Sequence, residues 1–168
     1  MLSLGSITKI QDFAFYGCTS LQSVNLPSTL TTIYNQAFYN CSNMYLPNNK
    51  LPESITTIDS GAFDGCTNLR IDELYLPNLK TINGGFENCD VRKITNLGSI
   101  TKVAGFANNA NLESVVLPET LTTINNNAFS NCTSLTTINL PESVTTINGS
   151  SFGNCTSLVI DELYLPNL

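Results

Sequence analysis

The sequence contains no histidine and no tryptophan, and only seven of its 168 residues are lysine or arginine. Without histidine, the serine–histidine and cysteine–histidine pairs that activate a nucleophile cannot form. The net charge of −6 and the lack of any basic cluster are unlike a protein that binds phosphate backbones. The composition therefore argues against the common hydrolases and against nucleic acid as a partner.

Long apolar runs are also missing. No segment approaches the roughly 20 apolar residues that a membrane-spanning helix needs, so we expect no membrane insertion. The start of the chain, MLSLGSITK, lacks the charged region and the long apolar region of a signal peptide. No glycine-rich phosphate loop leads into a helix, and the thirteen acidic residues do not group. We therefore expect no enzyme activity, no catalytic residues and no cofactor.

What the chain does contain is a phenylalanine followed three residues later by a cysteine, repeated along its length. The six pairs are Phe15/Cys18, Phe38/Cys41, Phe63/Cys66, Phe86/Cys89, Phe129/Cys132 and Phe152/Cys155. Successive phenylalanines lie 23 or 25 residues apart, except across one wider gap that holds Phe106, with Asn109 at the cysteine position. A fixed period of this size indicates a stack of small units, each burying an apolar side against the next.

Alignment on the cysteines divides the chain into repeat units of a single domain, 1–168. The full units are 19–41, 42–66, 67–89, 90–109, 110–132 and 133–155, with partial units at 1–18 and 156–168. A longer duplication is superimposed on them, because LGSITK occurs at 4–9 and 97–102, and IDELYLPNL at 71–79 and 160–168. The chain begins and ends inside a unit, so we expect it to be a fragment of a longer array.

Each unit predicts two short strands and a turn. In unit 133–155 the first strand lies within Leu135–Leu140 and stops at Pro141, which cannot continue a strand ladder. The second strand lies within Val144–Ile147 and is rich in β-branched residues. An Asn-Gly turn follows it. No stretch has ten or more residues of helical period, so the pattern predicts a β-rich solenoid of about seven coils with little helix.

The recurring pattern L-x-x-I-x-L-P-x-x-L-x-x-I-x-x-x-A-F-x-x-C resembles the BspA-like leucine-rich repeat, also called the Treponema pallidum type. Segments 21–41 and 112–132 match it in full, and the resemblance covers essentially the whole chain. The chain departs from the pattern at residues 44–47, in the expanded segment LRIDELYLP, and in the shortened unit 90–109. The resemblance implies a right-handed leucine-rich-repeat superhelix. It also implies a cell-surface or secreted protein with a role in adhesion and no shared catalytic residues.

The phenylalanine column is expected to form a buried spine of offset rings. Three interpretations are open for the cysteines: disulfides, metal ligands, or free buried thiols. Equivalent side chains of stacked coils point the same way, which disfavours a disulfide, and cysteines a full unit apart do not cluster around a metal. Asn109 in the same column indicates that no thiol partner is required there. We therefore favour free thiols that pack as small apolar groups.

Two further features are compatible with a surface function or with a structural one. Threonine pairs precede the second-strand isoleucine in several units: Thr31/Thr32, Thr56/Thr57, Thr122/Thr123 and Thr145/Thr146. An exposed row of hydroxyls could bind ice or glycans, but a hydrogen-bonded ladder on a solvated strand, interrupted by Lys80 and Lys102, is favoured. Glycosylation sequons occur at Asn40, Asn131, Asn148 and Asn154, and we interpret them as by-products of the repeat.

The best candidates for specific contacts lie in the duplicated IDELYLP motif. They are Asp72, Glu73 and Tyr75 in the first copy, and Asp161, Glu162 and Tyr164 in the second. The tyrosines replace an outward asparagine of the regular unit, and tyrosine is enriched at interfaces. The acid pairs could add a weak cation site, but neighbouring carboxylates do not form a cage, so no metal site is predicted.

These patterns favour a non-enzymatic recognition module that binds a host or extracellular protein or a glycan. The predicted binding face is that of residues 22–25, 72–75, 113–116 and 136–139. The alternative is a purely structural spacer, and a third hypothesis is end-to-end self-association of exposed strand edges.

Overall fold

The computed structural model describes residues 1–159. Over these residues the chain winds into a parallel β-solenoid of about six turns, which confirms the predicted fold and is close to the predicted coil number. No helix occurs in this part of the chain. Asp161, Glu162 and Tyr164, the second copy of the contact motif, lie outside the described residues.

The first strand of each unit forms one side of the solenoid, and we call its exposed surface the strand face. Its strands are β1 (Leu2–Ser3), β3 (Val24–Asn25), β7 (Leu74–Tyr75), β10 (Lys93–Asn96), β12 (Ser114–Val116) and β14 (Thr137–Asn139). They pair in parallel as β1–β3 and as β7–β10–β12–β14. Unit 42–66 joins β3 through an isolated bridge between Ser23 and Tyr45. Its strand ends there because Pro47, two residues on, has no N–H to donate.

The second strand of each unit forms a neighbouring side. Its strands are β2 (Lys9–Ile10), β4 (Thr32–Ile33), β5 (Thr57–Ile58), β8 (Thr81–Ile82), β11 (Lys102–Val103), β13 (Thr123–Ile124) and β15 (Thr146–Ile147). They pair in parallel as β2–β4–β5–β8 and β11–β13–β15. A short third pair joins β6 (Arg70–Ile71) to β9 (Asp90–Val91) where the expanded segment follows Cys66.

The phenylalanine column is the spine of the core, as predicted. Seven rings stack in order along the solenoid: Phe15, Phe38, Phe63, Phe86, Phe106, Phe129 and Phe152. Neighbouring ring centroids are 5.0 to 5.7 Å apart and the ring planes are within 18° of parallel. The five inner rings are fully buried. Offset stacking of this kind adds to the stabilisation that the buried area itself supplies.

The cysteine column contains six free thiols, of which four are buried, Cys18 is exposed and Cys155 is half-buried. The thiols do more than fill space. Each of Cys41, Cys66, Cys89, Cys132 and Cys155 donates to the backbone carbonyl of the phenylalanine in the preceding coil, with sulfur–oxygen distances of 3.0 to 3.2 Å. Asn109 makes the equivalent bond from Nδ2 to the Phe86 carbonyl at 2.8 Å. The column therefore requires a donor as well as a small side chain.

The third side of the solenoid is made of the turns between the second strands and the cysteine column. We call it the turn face; its segments are 11–17, 34–40, 59–65, 83–88, 104–108, 125–131 and 148–154. The residue before the cysteine position has a positive φ in every turn, which explains the exclusive use of asparagine and glycine there. These residues are Gly17, Asn40, Gly65, Asn88, Asn108, Asn131 and Asn154.

Candidate functional site

The strand face presents one residue per regular coil just before the leucine that follows the first strand. The residues at this position are Ser3, Asn25, Tyr75, Asn96, Val116 and Asn139. Tyr45 lies on the same face but pairs with Ser23. Most coils place a small polar residue before the leucine, but Tyr45, Tyr75 and Val116 are 45%, 43% and 48% exposed. Three large apolar groups therefore lie on an otherwise polar surface, and their positions follow from strand alternation.

Tyr75 lies beside a shallow groove. The groove is lined by Lys50, Leu51, Glu53, Glu73 and Tyr75. Three of its five lining residues, Lys50, Leu51 and Glu53, belong to the irregular unit 42–66. The groove combines an aromatic ring, an aliphatic wall and charges of both signs, which is the composition of a polar contact site rather than of a deep ligand pocket.

The Asp72 carboxylate already has bonding partners within the protein. It pairs with the Arg70 guanidinium at 2.6 Å and accepts a hydrogen bond from Asn49 at 3.0 Å. The hydrogen bond from Arg70, followed by that from Asn49, lowers the pKa of Asp72. The exposed Glu73 carboxylate accepts the Thr95 hydroxyl at 2.8 Å. Of the three candidates in this copy, Tyr75 is thus the one that forms no side-chain hydrogen bond within residues 1–159, whereas the two acids bond to neighbouring side chains.

Two parts of this face, one residue and one strand, are not predicted by the sequence analysis. Tyr45 precedes Leu46-Pro47 as Tyr75 precedes Leu76-Pro77, and this shared triplet was the available signal. The other omission is β10, Lys93–Asn96, the longest strand, which lies in the shortened unit 90–109 and joins β7 to β12. The predicted face was therefore incomplete, because 93–96 belongs to it.

The threonine pairs form a hydrogen-bonded ladder. The first hydroxyl of each pair donates to the backbone carbonyl at its own position in the preceding coil, as Thr31 does to Thr8 at 3.0 Å and Thr122 to Thr101 at 3.1 Å. Thr56 and Thr145 repeat the bond at 3.2 and 3.3 Å. These contacts favour the structural interpretation over an ice- or glycan-binding row, since the hydroxyl hydrogens already have acceptors.

Two sequon asparagines also form hydrogen bonds between neighbouring coils. Nδ2 of Asn154 donates to Oδ1 of Asn131, and Nδ2 of Asn131 donates to Oδ1 of Asn108, both at 2.7 Å. Asn108 continues the row to Asn88 at 3.0 Å. The amide nitrogen that a glycosyl transfer would need is thus used in an asparagine ladder along the turn face, which agrees with the by-product interpretation.

Within residues 1–159 no three histidine, cysteine, aspartate or glutamate side chains come together as a metal would require. Burial raises the pKa of Cys132 to about 12 and also raises that of Cys89, so these two buried thiols are poor nucleophiles. No helix long and apolar enough to cross a membrane occurs in the same range.

Comparison with known proteins gives a consistent family assignment. The family model for the BspA type leucine-rich repeat region matches six copies, over residues 3–105 and 102–167. No curated protein sequence matches the chain.

Solved structures share the fold. A leucine-rich repeat protein of T. pallidum is 26% identical, with a TM-score of 0.66, and the match covers 94% of this chain and 77% of that one. A leucine rich cell surface protein of Faecalibacterium prausnitzii is 25% identical, with a TM-score of 0.63 and coverages of 94% and 57%. A leucine-rich repeat protein of Eubacterium ventriosum, 22% identical with a TM-score of 0.70 and coverages of 95% and 43%, shows the fold alone. The chain spans about half the length of the latter two.

Proposed function

The chain belongs to the BspA-type leucine-rich repeat family, and from that premise we propose that it is a recognition module. It binds a host or extracellular protein or a glycan through the strand face and catalyses no reaction. Many modest contacts over an extended sheet surface supply the affinity, as is usual for solenoids. The single observation that supports this proposal most is the exposure of Tyr75 and Val116 where other coils have Ser3, Asn25, Asn96 and Asn139, with a third exposed large side chain, Tyr45, on the same face.

A structural spacer would gain nothing from these apolar side chains. Exposed apolar groups promote association, and the fold does not need them, because asparagine occupies the same position in neighbouring coils. Glu73 and Lys50 in the groove beside Tyr75 add polar contacts of both signs at the rim. In many interfaces the residues that dominate the binding energy are aromatic, lie at the centre and are surrounded by polar groups.

The proposed location is the cell surface or the secreted fraction. One structural relative is described as a leucine rich cell surface protein, and this supports a similar location for the present chain. An adhesive role follows as part of the same proposal.

A binding screen against extracellular-matrix proteins and a glycan array tests the function. The informative variant is Tyr45→Asn/Tyr75→Asn, since asparagine is a polar residue that regular coils place on this face. The control is Ile7→Ser/Val159→Ser, which removes two exposed apolar side chains outside the strand face. If a partner found in the screen binds the wild type and the control but not the Tyr45→Asn/Tyr75→Asn variant, this result would support the strand face as the binding surface. Equal binding by the first variant and the wild type would refute it.

A further inference from the structure

The turn face changes its chemistry partway along the solenoid. The residue that follows the core phenylalanine is, in coil order, Tyr16, Tyr39, Asp64, Glu87, Ala107, Ser130 and Gly153. The first four are aromatic or acidic, and the last three are small and uncharged. Because the same stacked phenylalanines lie beneath all seven, the scaffold does not dictate this difference.

The aromatic part of this surface is a connected group. Tyr16 stacks on Tyr39, with ring centroids 5.1 Å apart and planes 9° from parallel, and Phe13 meets the Tyr16 ring edge-on at 5.9 Å. Phe13 and Tyr16 remain 52% and 51% exposed. Phe13 also has a φ of 58°, a conformation that a bulky residue rarely adopts. The corresponding residues of other turns are Gln36, Gly61, Asn127 and Ser150, which have the same positive φ but no aromatic ring. The turn therefore does not require a bulky residue in this strained backbone conformation.

All charge on the turn face has one sign. Its four charged residues are Asp12, Asp59, Asp64 and Glu87, and none of the chain's seven lysines and arginines lies in a turn segment. In the described residues, the three ion pairs involve Asp72, Asp90 and Glu113, all outside the turns. The turn-face acids therefore have no cationic partner within residues 1–159.

The Tyr39 ring and the Asp64 carboxylate both lie close to Gly61. A Cβ added at Gly61 would lie 2.9 Å from Gln36 Cγ, 3.6 Å from Asp64 Oδ2 and 3.7 Å from Tyr39 Cδ2. Asp64 Oδ1 already accepts the Glu87 backbone N–H at 2.9 Å. Burial, together with the charge of Glu87, raises the pKa of Asp64 to about 6, as expected for a carboxylate that lacks a cation nearby.

We propose that this acidic aromatic surface, made of Phe13, Tyr16, Tyr39, Asp64 and Glu87, binds a lysine- or arginine-containing segment of a protein partner. Aromatic faces attract a guanidinium or ammonium group, and the neighbouring carboxylates pair with it. A surface whose only charges are negative favours a cationic ligand. A neutral glycan would be bound equally well by uncharged amide side chains. The surface is separate from the strand face, so this proposal stands independently of the recognition role assigned there.

Binding of two fluorescein-labelled peptides, alternating arginine–serine and alternating glutamate–serine decamers, tests the proposal by anisotropy at physiological salt. The variant Tyr16→Ser/Tyr39→Ser introduces the residue found at position 130 and leaves the net charge unchanged. We expect it to weaken arginine-peptide binding at least about fivefold, since two cation–π contacts are lost. The control Ile7→Ser/Val159→Ser, which removes two exposed apolar side chains outside both faces, should change binding less than about twofold.

A charge-matched pair of variants separates local from overall electrostatics. Asp64→Asn/Glu87→Gln should weaken arginine-peptide binding more than Glu113→Gln/Glu119→Gln, although both pairs remove two negative charges. Thermal unfolding of each variant establishes that it is folded. Equal losses in both pairs, or no effect of the Tyr16/Tyr39 variant, would overturn the proposal. Binding of cellohexaose that depends on Tyr16 and Tyr39, without binding of the arginine peptide, would overturn it in favour of a glycan.

Discussion

The turns up to residue 88 and those from residue 104 onward have the same interior and different exteriors. Both contain the stacked phenylalanines and a donor that bonds the phenylalanine carbonyl of the coil before. Outside, the first group has exposed rings and acids, whereas the second has asparagine, serine, glycine and alanine. The difference teaches that repetition constrains the inward positions and the turn positions of positive φ. The residue after the core phenylalanine is outward and free to vary, and such variation is where a binding function is to be sought.

The largest expected effect would show whether the two interiors are equivalent. Phe129→Ala, in the second group, and Phe63→Ala, in the first, each remove a fully buried ring between two stacked neighbours. We expect each to lower the free energy of unfolding by about 3–5 kcal/mol in urea denaturation. A loss below about 1 kcal/mol for either one would break the comparison, because that coil would not depend on the common spine.

Asn109, at the boundary between the two groups, tests the donor column. Asn109→Leu keeps the approximate volume but removes the acceptor of the buried Val91 N–H, at 2.9 Å, and the donor to the Phe86 carbonyl. We expect a loss of about 2–3 kcal/mol in denaturation, since buried polar groups are left unpaired. Cys66→Ala, which removes one thiol bond to the Phe38 carbonyl, should cost about 1 kcal/mol. A neutral or stabilising Asn109→Leu would show that the column needs only a small side chain.

Asp64 gives the third prediction, which concerns pH. Its pKa is raised from 3.8 to about 6, so the folded state favours the protonated form, and the contribution to stability is present below pH 3.8 and lost as pH rises through about 6. Asp64→Asn should therefore raise the free energy of unfolding at pH 8 by about 1 kcal/mol, a figure reduced for solvent screening. The advantage should shrink as pH falls from 6 to 4. Denaturation of both proteins across this range measures it, and a constant difference would contradict the assignment.

The smallest effect is expected on exchanging residues between the two exteriors. Tyr39→Ser and the reciprocal Ser130→Tyr place each group's residue in the other's position after the core phenylalanine. We expect both to change stability by less than about 0.5 kcal/mol, as surface substitutions usually do. Thermal and chemical unfolding check this. A large destabilisation by Tyr39→Ser would mean that the Tyr16–Tyr39 stack supports the fold, which would remove the structural freedom on which its proposed binding role depends.

The sequence was sufficient for the fold because the same inward residues recur in every unit. Phe63 and Leu135 predicted the core and Pro141 the end of a strand without knowledge of any distant contact. Contacts between units were not predictable in this way. The Arg70–Asp72–Asn49 group joins two irregular units whose alignment the repeat does not fix. Strand alternation was accordingly enough to predict that Tyr75 is exposed, whereas the pairing of Asp72 with Arg70 and Asn49 was not predictable from the repeat.

The donor role of the cysteines was missed for a related reason. A small residue at a buried position is explained by packing alone, and thiols form weak hydrogen bonds. The signal that could have revealed the role was Asn109, a fully buried amide in an otherwise cysteine column. Asn109 indicates that no thiol partner is required there, but it also supplies a hydrogen-bond donor, as the cysteines do.

The placement of the tyrosines has a practical consequence for spectroscopy. The chain has no tryptophan, so its intrinsic fluorescence comes from six tyrosines. None of the five in the described residues is buried: Tyr16, Tyr34 and Tyr39 lie on the turn face, and Tyr45 and Tyr75 on the strand face. Emission from this protein therefore reports on its surface more than on its core. Removal of Tyr16 and Tyr39 would leave one turn-face tyrosine among the described residues, and removal of Tyr45 and Tyr75 would leave none on the strand face, so label-free titrations of the two double variants could tell on which side a ligand sits.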